Sequence, residues 1–115
     1  MDISITIRGI DNDEAGKLSN SIRNYIIEQR MGEVEKLLNF VKEPIFINIT
    51  VTIVKPHPMH SCNLRIYGPG FEVIITKDNG PEIYKIIDQT FDEAIEKIIQ
   101  HKDKIVTERK SGKPN

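Results

Sequence analysis

The residue types best suited to bind a metal ion are two of the three histidines and the single cysteine, spaced as His57-x-x-His60-x-Cys62. Imidazole and thiolate groups are common ligands of zinc and copper. His57, however, lies between two prolines in a predicted turn, whereas Cys62 falls in the inward register of the strand that follows. Ligands on opposite sides of a sheet cannot converge on one ion. We therefore predict no metal site, and a core thiol at Cys62.

A second group of chemically capable residues is the acidic row Asp88, Asp92 and Glu96, spaced four residues apart. On a helix such a row lies along one stripe, where like charges destabilise each other mildly. The row is compatible with a docking face for a basic protein, with a weak divalent-metal site, or with a solvated surface. We favour the solvated surface, relieved by an ion pair between Glu93 and Lys97.

Motifs that carry catalysis are absent from the sequence. It has no Gly-x-x-x-x-Gly-Lys-Ser/Thr loop, no His-Glu-x-x-His and no Gly-x-Ser-x-Gly. We therefore predict that the chain is not an enzyme, uses no cofactor and binds no small-molecule substrate.

Composition indicates one small domain with its own core. The chain has 115 residues, of which 38% are hydrophobic, and one cysteine, so the fold does not depend on a disulfide within the chain. The start at Met1 lacks the pattern of a signal peptide, and no segment approaches the roughly 20 apolar residues that span a bilayer. We expect a cytoplasmic protein that does not interact with membranes.

Apolar periodicity defines the secondary-structure elements. Alternation with period two predicts strands over residues 3–8, 45–54, 61–67 and 71–76. Asp11 and Glu14 resemble a capping box that opens a helix reaching about Lys42, with a kink or break near Gly32. Pro81 begins a second helix that runs to about residue 106.

These elements predict an α+β fold of order β-α-β-β-β-α. Short connections make the last three strands antiparallel neighbours, and the first crossover places the first strand parallel to the second. Two amphipathic helices then cover one face of a four-stranded mixed sheet. We predict a single domain over 1–106 and a polar, disordered tail over 107–115.

Charge is distributed unevenly along the second helix. Residues 81–96 contain five acidic residues and one lysine, whereas residues 97–115 contain six basic and two acidic residues. The net charge of the whole chain is −1 and its pI about 6.3, so any binding of nucleic acid must depend on a local patch. Positive charge at the end of a helix also complements the helix dipole, which is a purely structural reason for it.

The order of elements and several short segments resemble the ribosome hibernation-promoting factor family, also called ribosome-associated inhibitor or protein Y. The resemblance covers residues 3–106 and is strongest in the second helix. The segments that carry it are Ile7-Arg8-Gly9, Ile22-Arg23-Asn24-Tyr25, Glu35-Lys36-Leu37, Glu82-Ile83-Tyr84-Lys85-Ile86-Ile87-Asp88 and His101-Lys102-Asp103-Lys104-Ile105.

The resemblance implies a fold similar to the double-stranded RNA-binding domain and a role in silencing translation under stress. It implies binding to rRNA of the small ribosomal subunit, in the channel for messenger and transfer RNA, by a protein that is a monomer when free. We expect no dimerisation domain after residue 115 and therefore do not expect this chain alone to pair ribosomes. The basic residues expected to contact RNA are Arg23, Arg30, Lys36, Lys102 and Lys104, with Lys97 nearby.

Tyr84, at the signature tyrosine, is either a base-stacking residue or a packing residue at the edge of the sheet; Tyr67 is a second aromatic that could stack on a base. The chain departs from the family at Glu33, Glu93, Glu96 and Gln100, where basic residues are common. These departures keep open an alternative function, a protein–protein adaptor that has the fold but has lost affinity for the ribosome.

Overall fold

A computed structural model describes residues 1–9, 16–54 and 59–111, without the side chains of Asn79 and of residues 106–111. Its strands are β1 (Asp2–Arg8), β2 (Phe46–Thr52), β3 (His60–Gly68) and β4 (Phe71–Gly80). They form one sheet in the order β1-β2-β3-β4, in which β1 is parallel to β2 and the other neighbours are antiparallel. The predicted α+β fold with a mixed four-stranded sheet is confirmed.

Alternation along the strands places one set of side chains in the core. In β2 the odd-numbered residues are buried and the even-numbered residues are half-buried. The same alternation brings alternate residues of β3, from Cys62 onward, and alternate residues of β4, from Phe71 to Ile75, to the same face. The buried strand residues are Ile47, Ile49, Val51, Cys62, Leu64, Ile66, Phe71, Val73 and Ile75.

The first helical run is continuous from Lys17 to Phe40 but changes its hydrogen bonding. It consists of α1 (Lys17–Tyr25), a π-helical segment (Ile26–Met31), α2 (Gly32–Leu37) and a short 3₁₀ turn (Leu38–Phe40). Ile26 and Met31 are both buried although they are five residues apart. Because an α-helix returns to one face after three or four residues, this spacing calls for an extra residue in the turn, which the wider π-helix accommodates.

Gly32 does not break this run. Its φ of −58° and ψ of −38° are helical, so the predicted kink or break is a change from π-helix to α-helix. The capping box predicted at Asp11 and Glu14 lies outside the described residues.

The second helix, α3 (Ile83–Ser111), is longer than predicted. It continues beyond the predicted end near residue 106 because no glycine or proline interrupts the sequence before Gly112. The backbone of residues 107–111, expected to belong to a disordered tail, is therefore helical, and residues 112–115 lie outside the description.

The last strand is also longer than predicted. The sequence predicts that β4 ends at residue 76, but the strand continues to Gly80. A register shift between His60 and Cys62 lets His60 pair with Gly80. The chain then passes from β4 into α3 over Pro81 and Glu82 alone.

One face of α3 covers β3 and β4. Burial of a large apolar side chain stabilises a fold by about 1.5–3 kcal/mol, so this face is a main source of stability. On the opposite face of α3, residues such as Tyr84, Asp92 and Glu96 are exposed. The buried residues of α3 are Ile86, Ile87, Thr90, Phe91, Ala94 and Ile98.

Candidate nucleic-acid interface

Four of the six predicted RNA-binding residues are exposed lysines. Lys36 lies on α2, and Lys97, Lys102 and Lys104 lie on α3. None of them has an ion pair with another residue of the described ranges. Their ammonium groups can therefore bind a phosphate without first leaving an internal partner.

The three lysines of α3 lie in its second half. At 100° per residue, Lys97 and Lys104 share one stripe of the helix, whereas Lys102 lies on the flank that also carries Asp88. The last buried side chain among those described in α3 is Ile98. Positive charge is thus presented on two sides of this part of the helix.

Arg30 is engaged inside the protein. Its Nη2 donates a hydrogen bond to Oδ1 of Asp92 at 2.5 Å, and its Nη1 lies 3.7 Å from Oδ1 of Asp88. The guanidinium also lies over the ring of Phe91, with Cζ 5.7 Å from the ring centroid. The residue predicted to meet an RNA phosphate is therefore paired with two carboxylates of α3.

The same part of α3 binds the first helical run through two tyrosines. The hydroxyl of Tyr25 donates to Oδ1 of Asp88 at 2.5 Å. This hydrogen bond, together with burial and the charge of the carboxylate, raises the pKa of Tyr25 above its ordinary value. Tyr84 contacts Tyr25 edge-to-face, with centroids 5.1 Å apart, so it packs against the first helical run. Tyr84 keeps an exposed fraction of 37%, which leaves part of its ring accessible.

Arg23 is also bound within the protein. Its Nη1 donates a hydrogen bond to the carbonyl oxygen of Ile5 at 2.8 Å. β1 is parallel to β2, and its even-numbered residues bond to β2, as the amide of Asp2 and the carbonyl of Arg8 show. The backbone groups of odd-numbered residues point the other way, so the carbonyl of Ile5 faces the free edge of the sheet. Arg23 thus covers part of an exposed sheet edge, which is one way proteins prevent edge-to-edge association.

The acidic row on α3 is not the simple solvated surface that we expected. Asp88 and Asp92 pair with Arg30. Glu93 forms an ion pair with Lys77 of β4, so the expected pair with Lys97 is wrong. Sequence spacing suggests Lys97 as the partner of Glu93 because the two residues are four positions apart on the same helix. Lys77 comes close to Glu93 only through the packing of α3 on β4. Glu96 remains exposed.

The histidine and cysteine cluster shows no metal-binding geometry in the part that is described. His57 lies outside the described residues, and His60 is buried, with Nδ1 accepting a hydrogen bond from the amide of Val54 at 3.1 Å. Cys62 is fully buried, and burial raises the pKa of its thiol to about 11. Within the described ranges, no group of three histidine, cysteine or acidic residues could hold a metal ion.

Sequence reasoning missed a cleft at the C-terminal end of α3. Its volume is about 420 Å³, and Lys42 and Lys104 both line it beside Phe40 and His101. Lys42 stood out in the sequence only as the last residue of a predicted helix, and no local pattern links it to Lys104. The cleft adds one exposed cation to those predicted at this end of the molecule.

Tyr67, the other candidate for base stacking, lies on the open face of the sheet. Its ring stacks on Phe46 with centroids 5.0 Å apart, and Arg65 lies over it with Cζ 4.2 Å from the centroid. Arg65 in turn pairs with Glu72. Neighbouring side chains thus cover the ring of Tyr67, which leaves Tyr84 as the more accessible tyrosine.

Comparison with known proteins identifies the family. Residues 3–106 match the sequence model of the sigma 54 modulation protein / S30EA ribosomal protein family. The chain belongs to this family. Its members are ribosome-associated hibernation and modulation factors, and it is not known as an enzyme family. The resemblance inferred from the sequence is confirmed.

Solved structures show the same fold. The N-terminal domain of protein Y from Thermus thermophilus matches with a TM-score of 0.59 at 14% identity, covering 88% of this chain and 99% of that one. A ribosomal subunit interface protein from Coxiella burnetii matches with a TM-score of 0.52 at 19% identity, covering 90% of this chain and 99% of that one. No curated protein matches the sequence. In the described part of this S30EA family chain, no helix has the length and apolar character needed to cross a membrane.

Proposed function

We propose that this chain is a cytoplasmic hibernation factor that binds rRNA phosphates of the small ribosomal subunit. There it occupies the channel for messenger and transfer RNA and inhibits translation by excluding both. The observation that carries the proposal is the family match over residues 3–106. The exposed lysines of α2 and α3 support it, because cations without internal partners are the groups that bind phosphate at least cost.

The proposed contacts differ in how readily they form. Lys36, Lys97, Lys102 and Lys104 are exposed and bind phosphate directly. Arg23 and Arg30 already donate hydrogen bonds within the protein, so they contact phosphate less readily. Tyr84 stacks on an unpaired base through the part of its ring that Tyr25 leaves uncovered.

The experiment that tests the proposal is co-sedimentation of the purified protein with small ribosomal subunits over a series of salt concentrations. We expect binding that weakens with salt, with a slope of about 0.7–0.9 log units for each phosphate contact. Replacing Lys102 and Lys104 together by alanine should weaken binding about tenfold at low salt and flatten the slope by about one per residue.

The matched control replaces two exposed lysines far from this end of α3, Lys17→Ala with Lys85→Ala. It changes the net charge by the same amount, so it separates a local contact from a general effect of charge. Equal losses in the two double variants would contradict the assignment of the contacts to the C-terminal end of α3. Failure of the unmodified protein to sediment with the subunit at any salt would contradict the ribosomal function itself.

A second candidate function is that of a protein–protein adaptor. The observation that favours it is the acidic flank of α3, where Glu96 and most of Asp92 are exposed. An acidic flank repels phosphate and attracts a basic protein surface. Under this alternative the protein stays at the top of the gradient at every salt concentration.

A further inference from the structure

One ion pair joins the acidic flank of α3 to the predicted RNA-binding residues. Arg30 and Asp92, 62 positions apart in the sequence, meet through Nη2 and Oδ1 at 2.5 Å. The side chain of Asp92 is 68% exposed, whereas that of Arg30 is 18% exposed. The carboxylate therefore lies on the solvent side of the guanidinium, where an RNA phosphate would approach.

The guanidinium is held in place by groups other than Asp92. Phe91, which is fully buried, lies beneath it, and Asp88 lies 3.7 Å from Nη1. Asp88 is itself fixed by the hydroxyl of Tyr25. If Asp92 moves away, Arg30 remains oriented, with Nη2 free to bind another anion.

The pairing of Arg30 is also incomplete. Its buried Nε has no hydrogen-bond partner among the described residues. A guanidinium binds a carboxylate or a phosphate best through two parallel N–H donors, and Asp92 accepts from only one here. The hydrogen bond from Nη2 uses one oxygen of Asp92. An RNA phosphate has two unesterified oxygens that can accept, so it can replace Asp92 with no loss of hydrogen bonds.

We propose that Asp92 determines the RNA affinity of this protein by occupying Arg30 until an RNA phosphate displaces it. In the free protein the carboxylate of Asp92 takes the place of the phosphate. On RNA, Arg30 exchanges one anion for another, while Asp88 and Phe91 keep its orientation. The affinity is thereby set below the value that the basic residues alone would give. This inference rests on the proposed function, since it concerns the same RNA contact.

The test compares Asp92→Asn with Glu96→Gln in co-sedimentation with small ribosomal subunits over a salt series. Both variants remove one negative charge from the exposed flank of α3, but only the first releases Arg30. We expect Asp92→Asn to bind about threefold to tenfold more tightly at low salt and Glu96→Gln to change the affinity less, with the salt slope unchanged in both because the number of phosphate contacts is the same.

A double-mutant cycle with Arg30→Ala then assigns the gain to Arg30. In the Arg30→Ala background, Asp92→Asn should give no more gain than Glu96→Gln. Circular dichroism of each variant verifies that it is folded. Equal effects of Asp92→Asn and Glu96→Gln, or a gain that persists without Arg30, would overturn the inference while leaving the ribosomal function intact.

The same series separates the two proposals. If the unmodified protein binds but Asp92→Asn binds no more tightly than Glu96→Gln, the control by Asp92 fails and the ribosomal function stands. If neither the unmodified protein nor Asp92→Asn binds, the ribosomal function fails, and the inference that rests on it fails too.

Discussion

Gly9 has a conformation that other residues rarely adopt. It follows β1 with a φ of 82°, and a Cβ at this position would lie 2.0 Å from the carbonyl oxygen of Ile53. The close approach arises because the amide of Ile53 bonds to the carbonyl of Arg8, one residue before the glycine. Gly9 belongs to one of the segments that resemble the family, so the structure gives a physical reason for a glycine there.

We expect Gly9→Ala to lower the free energy of unfolding by about 3 kcal/mol or more, because it combines backbone strain with a steric clash. Gly70→Ala is the matched control. Gly70 also has a positive φ, of 68°, but has open space around the position of a Cβ, so only the strain of about 1 kcal/mol applies. Urea unfolding monitored by circular dichroism measures both. Equal losses would show that the contact with Ile53 is relieved by a small backbone shift.

At the level of elements, the first helical run and α3 are joined by polar contacts as well as by the core. Tyr25 and Arg30 extend from the first helical run to Asp88 and Asp92 of α3. The π-helical segment contains Arg30, so the same extra residue that keeps Ile26 and Met31 buried also sets the position of this arginine. The joint between the helices therefore depends on one irregular turn.

The hydrogen bond from Tyr25 to Asp88 predicts a pH dependence of stability. Because the folded-state pKa of Tyr25 is raised above the ordinary 10.0, its contribution is complete below about pH 10 and is lost as the pH rises further. Tyr25→Phe should cost about 1–2 kcal/mol at pH 8, and the difference from the unmodified protein should shrink above pH 10.

Urea titrations of both proteins between pH 8 and pH 11 measure this difference. Cys62 also titrates in that range, but it is present in both proteins and its effect cancels. A difference that stays constant with pH would mean that the hydroxyl of Tyr25 is not bound to Asp88 in solution.

At the level of the whole molecule, one core joins the sheet to both helical elements. Cys62 lies in its interior, on β3, with no exposed surface. The fully buried Ile22, Val34, Phe91 and Ile98 extend the same core into the first helical run and α3. A core shared in this way favours cooperative unfolding, since no element keeps its packing when another leaves.

We expect Cys62 to react with a thiol reagent only when the whole molecule unfolds. At pH 8 its thiol is protonated because burial raises its pKa to about 11, and it is shielded from solvent. The urea midpoint for thiol reactivity should coincide with the midpoint for loss of helical circular dichroism. Ser21→Cys combined with Cys62→Ala places a thiol on the exposed surface as a control, and it should react at once. Reactivity of Cys62 well below the urea midpoint would indicate that one element detaches alone.

Much of the architecture could be predicted from the sequence because apolar periodicity is local. The alternation of Ile47, Ile49 and Val51, and the helical spacing of Ile87, Phe91 and Ile98, depend only on the repeats of a strand and a helix. Short connections then determine which strands are neighbours. The family resemblance, which came from short segments placed in this order, is confirmed for the same reason.

Only the tertiary structure could decide which groups the charged residues meet. Arg30 and Asp92 are 62 positions apart, and Lys77 meets Glu93 across the packing of α3 on β4, so no local pattern encodes either pair. A periodicity reports which face of an element is buried, whereas the partner of an exposed charge depends on how whole elements pack against each other. The sequence by itself therefore determined the fold and most of the candidate cations, and the packing of the helices decided which of these cations already have internal partners.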